Sequence, residues 1–163
     1  QGSTATVGRG ARCYRHREPG FRRFFATVLL LQAGICLLGR ADNLELMFAG
    51  WELVGLASFL LIAFYRERQA AARNALKSYS VYRIADAGML LAACLEGHPG
   101  TAAAIGCFVL LAAMGKSAQF PFSFWVARAM EGPTPSSALF YGALSIHAGA
   151  YLLLRTLDRK SVV

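Results

Sequence analysis

The stretch "LLAAMGKSAQFPFSFW", residues 110–125, decides how this chain is read. It places an ammonium, Lys116, at the end of an uncharged apolar run and a proline, Pro121, five residues later. Counted at 1.5 Å per residue from Thr101, Lys116 lies about 22 Å along its helix, past the midplane of a hydrocarbon layer about 30 Å thick. Unbroken from Thr101 to Met130 the segment would measure about 45 Å, too long for one straight crossing. Pro121 supplies the expected break, because its ring removes a backbone donor and clashes with the preceding turn. A lysine here can snorkel outward. Ser117, Gln119 and the proline nevertheless describe a polar, locally unwound region, and irregular backbone at membrane depth is tolerated where it is buried in protein or lines water. A hydrated cavity is therefore expected around Lys116. Burial disfavours its ammonium while a nearby carboxylate such as Glu52 favours it, and a lysine balanced between the two can take and release protons.

The composition around this stretch has the same meaning. The chain is 56% hydrophobic and only 16% charged, with a positive mean hydropathy, which places it among integral membrane proteins. The net charge of +8 is gathered in a few segments with long charge-poor runs between them, which argues against a nucleic-acid surface. Cys13, Cys36, Cys94 and Cys107 show no C-x-x-C spacing. Three of them fall in apolar segments where a thiol behaves as a small hydrophobe, so disulfide, zinc and iron–sulfur readings are poor. Cys13 and His16 are too isolated to form a metal site.

Five segments approach the length of a span, giving an all-α membrane fold of about five transmembrane helices: 24–39, 43–65, 75–95, 101–130 with its break, and 135–154. The "EGHPG" stretch is a turn by composition, and in "PTPSS" Thr134 can cap while Pro135 fits the first helical position. Residues 1–23 form a basic segment and 24–163 the membrane unit. With alternating crossings, one side carries Arg12, Arg15, Arg17, Arg22, Arg23, Arg66, Arg68, Arg73 and Lys77, and the other Arg40, Arg155, Arg159 and Lys160. The bias puts the N-terminal segment and the 66–77 loop on the cytoplasmic side, or the equivalent matrix or stromal side, with a bacterial inner membrane as the expected location. The first residue is Gln1, and the chain is expected to be an internal piece of a longer one.

Several ionisable groups fall inside these spans. Glu52 lies near the middle of the second, where a charge costs about 2.5–3.5 kcal/mol on insertion scales and therefore faces protein or water. Such acids mark ion paths, and the bland alternative is a protonated carboxyl kept for packing. Tyr79, Tyr82, Arg83 and Asp86 recur at helical spacing on one face, so Arg83 and Asp86 can pair along it. That pair is either structural, with Arg83 at the headgroups, or part of a path that reaches deeper Asp86. His147 is mid-span, with Tyr151 one turn on and Ser137, Tyr141 and Ser145 in a neighbouring row. It is suited to proton shuttling or to interhelical hydrogen bonding. His16 and His98 lie outside the spans, so paired axial ligands for a membrane haem are absent from this sequence.

Four runs carry a resemblance: "GWELVGLASFLLIAFY", "ALKSYSVYRIADAGML", "GKSAQFPFSFWVARAMEGPTPSSAL" and "HAGAYLLLR". From "HREPGFRRFF" onward the chain resembles the antiporter-like membrane-arm subunits of respiratory complex I, nearest the L-type subunit and its relatives. The resemblance implies one five-helix unit of two inverted ones, each supplying half of a proton path. It implies an ion pair between Glu52 and Lys116 and Asp86 with Arg83 as its partner; beside these groups His147 is expected to extend the relay, with Tyr141 in support. It also implies no flavin, iron–sulfur, quinone or other cofactor on this chain, and other membrane-arm subunits as partners. Two positions depart from the L-type pattern, which commonly has histidine where this sequence has Tyr141 and a hydroxyl or small residue at His147.

The expected function is proton conduction within an NADH:quinone oxidoreductase-type complex, on a subunit that does no redox chemistry itself. The alternatives are an antiporter-like subunit of a cation/proton antiporter or inorganic-carbon uptake complex, and a non-conducting membrane scaffold. A membrane redox enzyme would need cofactor ligands that the sequence does not offer.

Overall fold

The hydropathy pattern resolves into helices whose ends are set by identifiable local contacts. The computed structural model describes residues 20–133 and 145–161, and all regular structure among them is helical. The first helix, α1 (Phe21–Arg40), buries Phe24, Val28, Leu31, Gly34 and Leu38, a stripe at helical spacing. It turns at Ala41–Asn43 into α2 (Leu44–Ile62), whose start is capped by Asn43 Oδ1 accepting from the Leu46 N–H at 3.3 Å, with Glu45 in the first turn. These two helices are long and apolar enough to cross a membrane by length and composition. They pack closely because of Gly34 and Gly50: a Cβ at Gly50 would stand 2.7 Å from the Leu38 nitrogen. Small residues at helix contacts are how apolar helices gain packing contacts where the solvent is lipid.

The third helix, α3 (Gln69–Leu95), is 27 residues long and begins earlier than the expected 75–95 span. At 1.5 Å per residue it is about 40 Å long, and its opening turns carry Arg73 and Lys77, so hydropathy alone does not register them as helix. It packs on α2 on one side and on α4 (Ala102–Lys116) on the other. The α3–α4 contact again relies on glycine: a Cβ at Gly88 would sit 2.9 Å from the Phe108 carbonyl, and one at Gly115 would collide with the Ala85 methyl.

The end of α4 differs from the expected break at Pro121. The helix stops at Lys116, and Ala118 takes a left-handed conformation (φ 53°) from which the Gln119 N–H returns to the Met114 carbonyl at 3.0 Å. This is the geometry of a helix C-cap, usually given to glycine, so the helix stops five residues before the proline. The chain then turns into the short α5 (Phe124–Arg128) and a 3₁₀ turn at Ala129–Glu131. The final helix, α6 (Ser145–Ser161), packs on α4 and runs beyond the expected end at residue 154. The opening of the expected 135–154 span, including Tyr141, lies outside the described residues, as do Cys13, His16 and most of the basic 1–23 segment.

Candidate functional site

The interrupted helix leaves buried backbone carbonyls needing donors, and the segment beyond the stop supplies them. The Trp125 indole N–H donates to the Gly115 carbonyl at 3.0 Å, and the Ser117 N–H to that of Ala113 at 2.9 Å. Ser117 Oγ donates to the Ile146 carbonyl of α6 at 2.9 Å. The "KSAQFPFSFW" stretch thus folds back on the helix it ends, meeting the requirement that polar backbone within a membrane be satisfied by protein.

Inside this fold-back lies Lys116, whose side chain is 0% exposed. Its Nζ donates to the Trp51 carbonyl at 2.6 Å, stands 3.6 Å from Asp86 Oδ1, and lies 4.2 Å from the centre of the Trp51 ring and 5.9 Å from that of Tyr82. Gly55, one turn along α2 from Trp51, leaves room for the ammonium, since a Cβ there would stand 3.3 Å from Nζ. Rings and backbone thus surround the Lys116 ammonium. An indole face adds cation–π attraction, about 2 kcal/mol when desolvated.

Asp86 is 2% exposed and lies on the buried stripe of α3 with Ser78, Tyr82 and Met89. Its Oδ1 accepts from the Trp51 indole N–H at 2.7 Å, while Oδ2 is buried with no hydrogen-bond partner among the described residues. One oxygen is thus held by a fixed donor and the other can carry a proton.

Glu52 and Arg83 form the second couple. Arg83 grips Glu52 through two parallel contacts, Nη2–Oε2 at 2.6 Å and Nη1–Oε1 at 2.8 Å, and its guanidinium lies 4.7 Å from the centre of the Tyr79 ring. The side chains are 44% and 21% exposed for Arg83 and Glu52, unlike the sealed Lys116 and Asp86. The fork-on-carboxylate arrangement adds geometric specificity to the charge.

These partners correct the expected pairings. In place of Glu52 with Lys116 and Asp86 with Arg83, the structure joins Asp86 to Lys116 and Glu52 to Arg83. Helix geometry explains the exchange. Trp51 fills the interior face of α2, so Glu52, one residue on, is turned about 100° toward the rim, where the long Arg83 side chain meets it. Asp86 is too short to leave the buried stripe and faces the lysine instead.

His147 is not brought into either couple: its imidazole is exposed, and the buried positions beside it are Ala148 and Leu152. It adjoins Ile146, whose carbonyl Ser117 holds.

The residue that sequence reasoning passed over is Trp51. One side chain and its own carbonyl touch both members of the sealed couple. The signal was present, because an indole N–H at mid-span must find an acceptor. Trp51→Phe keeps an aromatic ring and the backbone carbonyl but removes the donor to Asp86 and leaves a smaller ring in the indole's buried space. Leaving a buried acceptor short of a partner costs about 1–3 kcal/mol, so the thermal midpoint of the full-length protein in detergent is expected to fall. An unchanged midpoint would mean that the indole bond contributes nothing.

Comparison with known proteins follows the same lines. The family model described as NADH:quinone oxidoreductase/Mrp antiporter, TM, matches residues 41–96 and 97–162. A protein of Mycobacterium tuberculosis named NADH-quinone oxidoreductase subunit L is 40% identical, over 88% of this chain and 25% of its own. The NADH-ubiquinone oxidoreductase chain 5 of Chlamydomonas reinhardtii is 38% identical over 87% of this chain and 28% of its own. The solved Mrp complex from Dietzia sp. DQ12-45-1b aligns with a TM-score of 0.73 at 32% identity, over 80% of this chain and 16% of the matched one. The chain thus spans about a quarter of the length of the curated relatives it matches.

Proposed function

The chain belongs to the NADH:quinone oxidoreductase/Mrp antiporter transmembrane family, and on that premise we propose that it forms one proton-conducting unit of an antiporter-like membrane subunit in an NADH:quinone oxidoreductase-type complex. The unit has five crossings, the fourth interrupted between Lys116 and Phe124 in the segment that holds Pro121. The observation that carries the reading is the sealed Lys116 ammonium, 3.6 Å from Asp86 at the end of that interrupted helix. A buried, paired ionisable group at a helix break marks an ion path in a membrane protein.

The two couples provide a way to move a proton. Lys116, Asp86, Glu52 and Arg83 carry no net charge together when all are ionised. A proton arriving on Asp86, or leaving Lys116, unbalances them where low dielectric leaves the charge poorly screened. Arg83 lies three residues from Asp86 on α3 and so has a second acid within its helical neighbourhood. A swing of Arg83 from Glu52 toward Asp86 would loosen the carboxylate's hold on Lys116 and favour release of the lysine's proton. His147, adjoining the carbonyl that Ser117 holds, extends the path on the α6 side, with Tyr141 as a further hydroxyl. Redox cofactors and their chemistry belong to partner subunits of the complex.

Relatives named as subunit L and chain 5 stand at 35–40% identity, against 32% for the Mrp structure, and this supports the oxidoreductase complex over the antiporter alternative. The test against a mere scaffold uses Glu52→Gln in the full-length protein and assembled complex. Proton transport per assembled complex is expected to fall about fivefold or more, the lower end of a coupling free energy of about 1–3 kcal/mol. Reduced assembly with normal transport per complex would favour the scaffold and overturn the proposal.

A further inference from the structure

A second charged feature lies at the far end of the α1–α2 hairpin, away from the buried couples. Gly20, Arg23 and the loop residues Phe64, Tyr65, Arg66, Glu67 and Arg68 line a cavity of about 450 Å³. Three guanidiniums from two separate elements meet there against a single carboxylate, and none of the three is ion-paired among the described residues. Two of them are held in place. Arg23 donates to the Phe64 carbonyl at 3.2 Å and lies 5.7 Å from the centre of the Phe64 ring, and Arg68 lies 5.1 Å from the centre of the Tyr65 ring. Guanidiniums stacked on rings lose less freedom when they grip an anion, and their planar fork matches phosphate oxygens.

We propose that this cavity binds the phosphodiester headgroup of an anionic phospholipid. The positive-inside bias puts these arginines at the membrane surface, where basic pockets between helices recognise anionic headgroups. Below Arg23 the same face of α1 continues as Ala26, Leu30, Ala33 and Leu37, none of them fully buried, an apolar track for an acyl chain beneath the headgroup. Gly20 sets the cavity's edge: it has φ 121°, and a Cβ there would stand 3.0 Å from the tip of the Phe64 ring. The residues preceding Gly20 carry Arg12, Arg15 and Arg17, so charge favours an anion over that segment as the occupant.

The test uses the full-length protein in its assembled complex, purified in detergent and equilibrated with deuterated phosphatidylglycerol in excess phosphatidylcholine. Retained lipid is counted by mass spectrometry. Arg66→Gln is expected to weaken retention about fivefold, the effect of one basic residue at an anionic surface. The triple variant Arg23→Gln, Arg66→Gln, Arg68→Gln is expected to lose the retained molecule. Equal retention in the wild type and Arg66→Gln would overturn the proposal. That variant decides the matter even if the triple one fails to assemble, because the exposed Arg66 side chain holds no other part of the described fold. Displacement by inorganic phosphate as readily as by phosphatidylglycerol would also overturn it, in favour of a free-anion site.

Discussion

Replacing Lys116 with methionine in the assembled complex is expected to lower proton transport through this unit by about 10²-fold or more, the scale on which a positioned proton-transfer group acts. Methionine preserves much of the stem's volume and adapts to irregular space, so the apolar contacts survive while the exchangeable proton is lost. The Trp51 carbonyl loses the donor at 2.6 Å, but as a helical carbonyl it still accepts within its own ladder. Asp86 loses its counter-charge at 3.6 Å and keeps the indole donor, so it can persist as a neutral acid. The prediction is thus a large fall in transport with assembly largely kept, read as proton movement per assembled complex. Transport at the wild-type level would remove Lys116 from the path.

Asp86→Asn is expected to be more damaging to the fold. It leaves a fully buried ammonium facing an uncharged amide, and removing one partner of a buried ion pair costs about 3–5 kcal/mol. The amide can still accept from the Trp51 indole but cannot carry a proton. A lowered thermal midpoint and a loss of transport are therefore expected together. Asp86→Glu should restore transport in part, because it returns an acid to the buried stripe of α3 although the longer side chain must repack. Failure of glutamate to restore any transport while stability recovers would assign Asp86 a packing role only.

Much of the fold was legible because apolar runs of membrane length and polar turns are local signals. Lys116 and Glu52 stood out from depth alone, and Asp86 from its helical register. Their pairing was not legible, because it depends on which way neighbouring helices are rotated, and a single indole at Trp51 decides that Glu52 turns to the rim. The break was expected near Pro121, and the helix already ends at Lys116; a left-handed alanine at Ala118 gives no composition signal, whereas proline gives a strong one. The early start of α3 escaped for the opposite reason, since Arg73 and Lys77 disguise helix as loop when hydropathy is the guide. His147 matched the residue type of a relay, yet its exposure depends on the α6 register, which a lone histidine in an apolar run does not reveal.

A proton on the Lys116–Asp86 couple is expected to be exchanged during turnover. Infrared difference spectroscopy of the working complex, resting against turning over, observes a carboxyl group gaining or losing that proton. A carboxyl signal is expected that vanishes in Asp86→Asn, is altered in Lys116→Met, and is unchanged by substitution at exposed Arg66. A turnover signal indifferent to both Asp86 and Lys116, in complexes that still transport protons, would contradict that exchange.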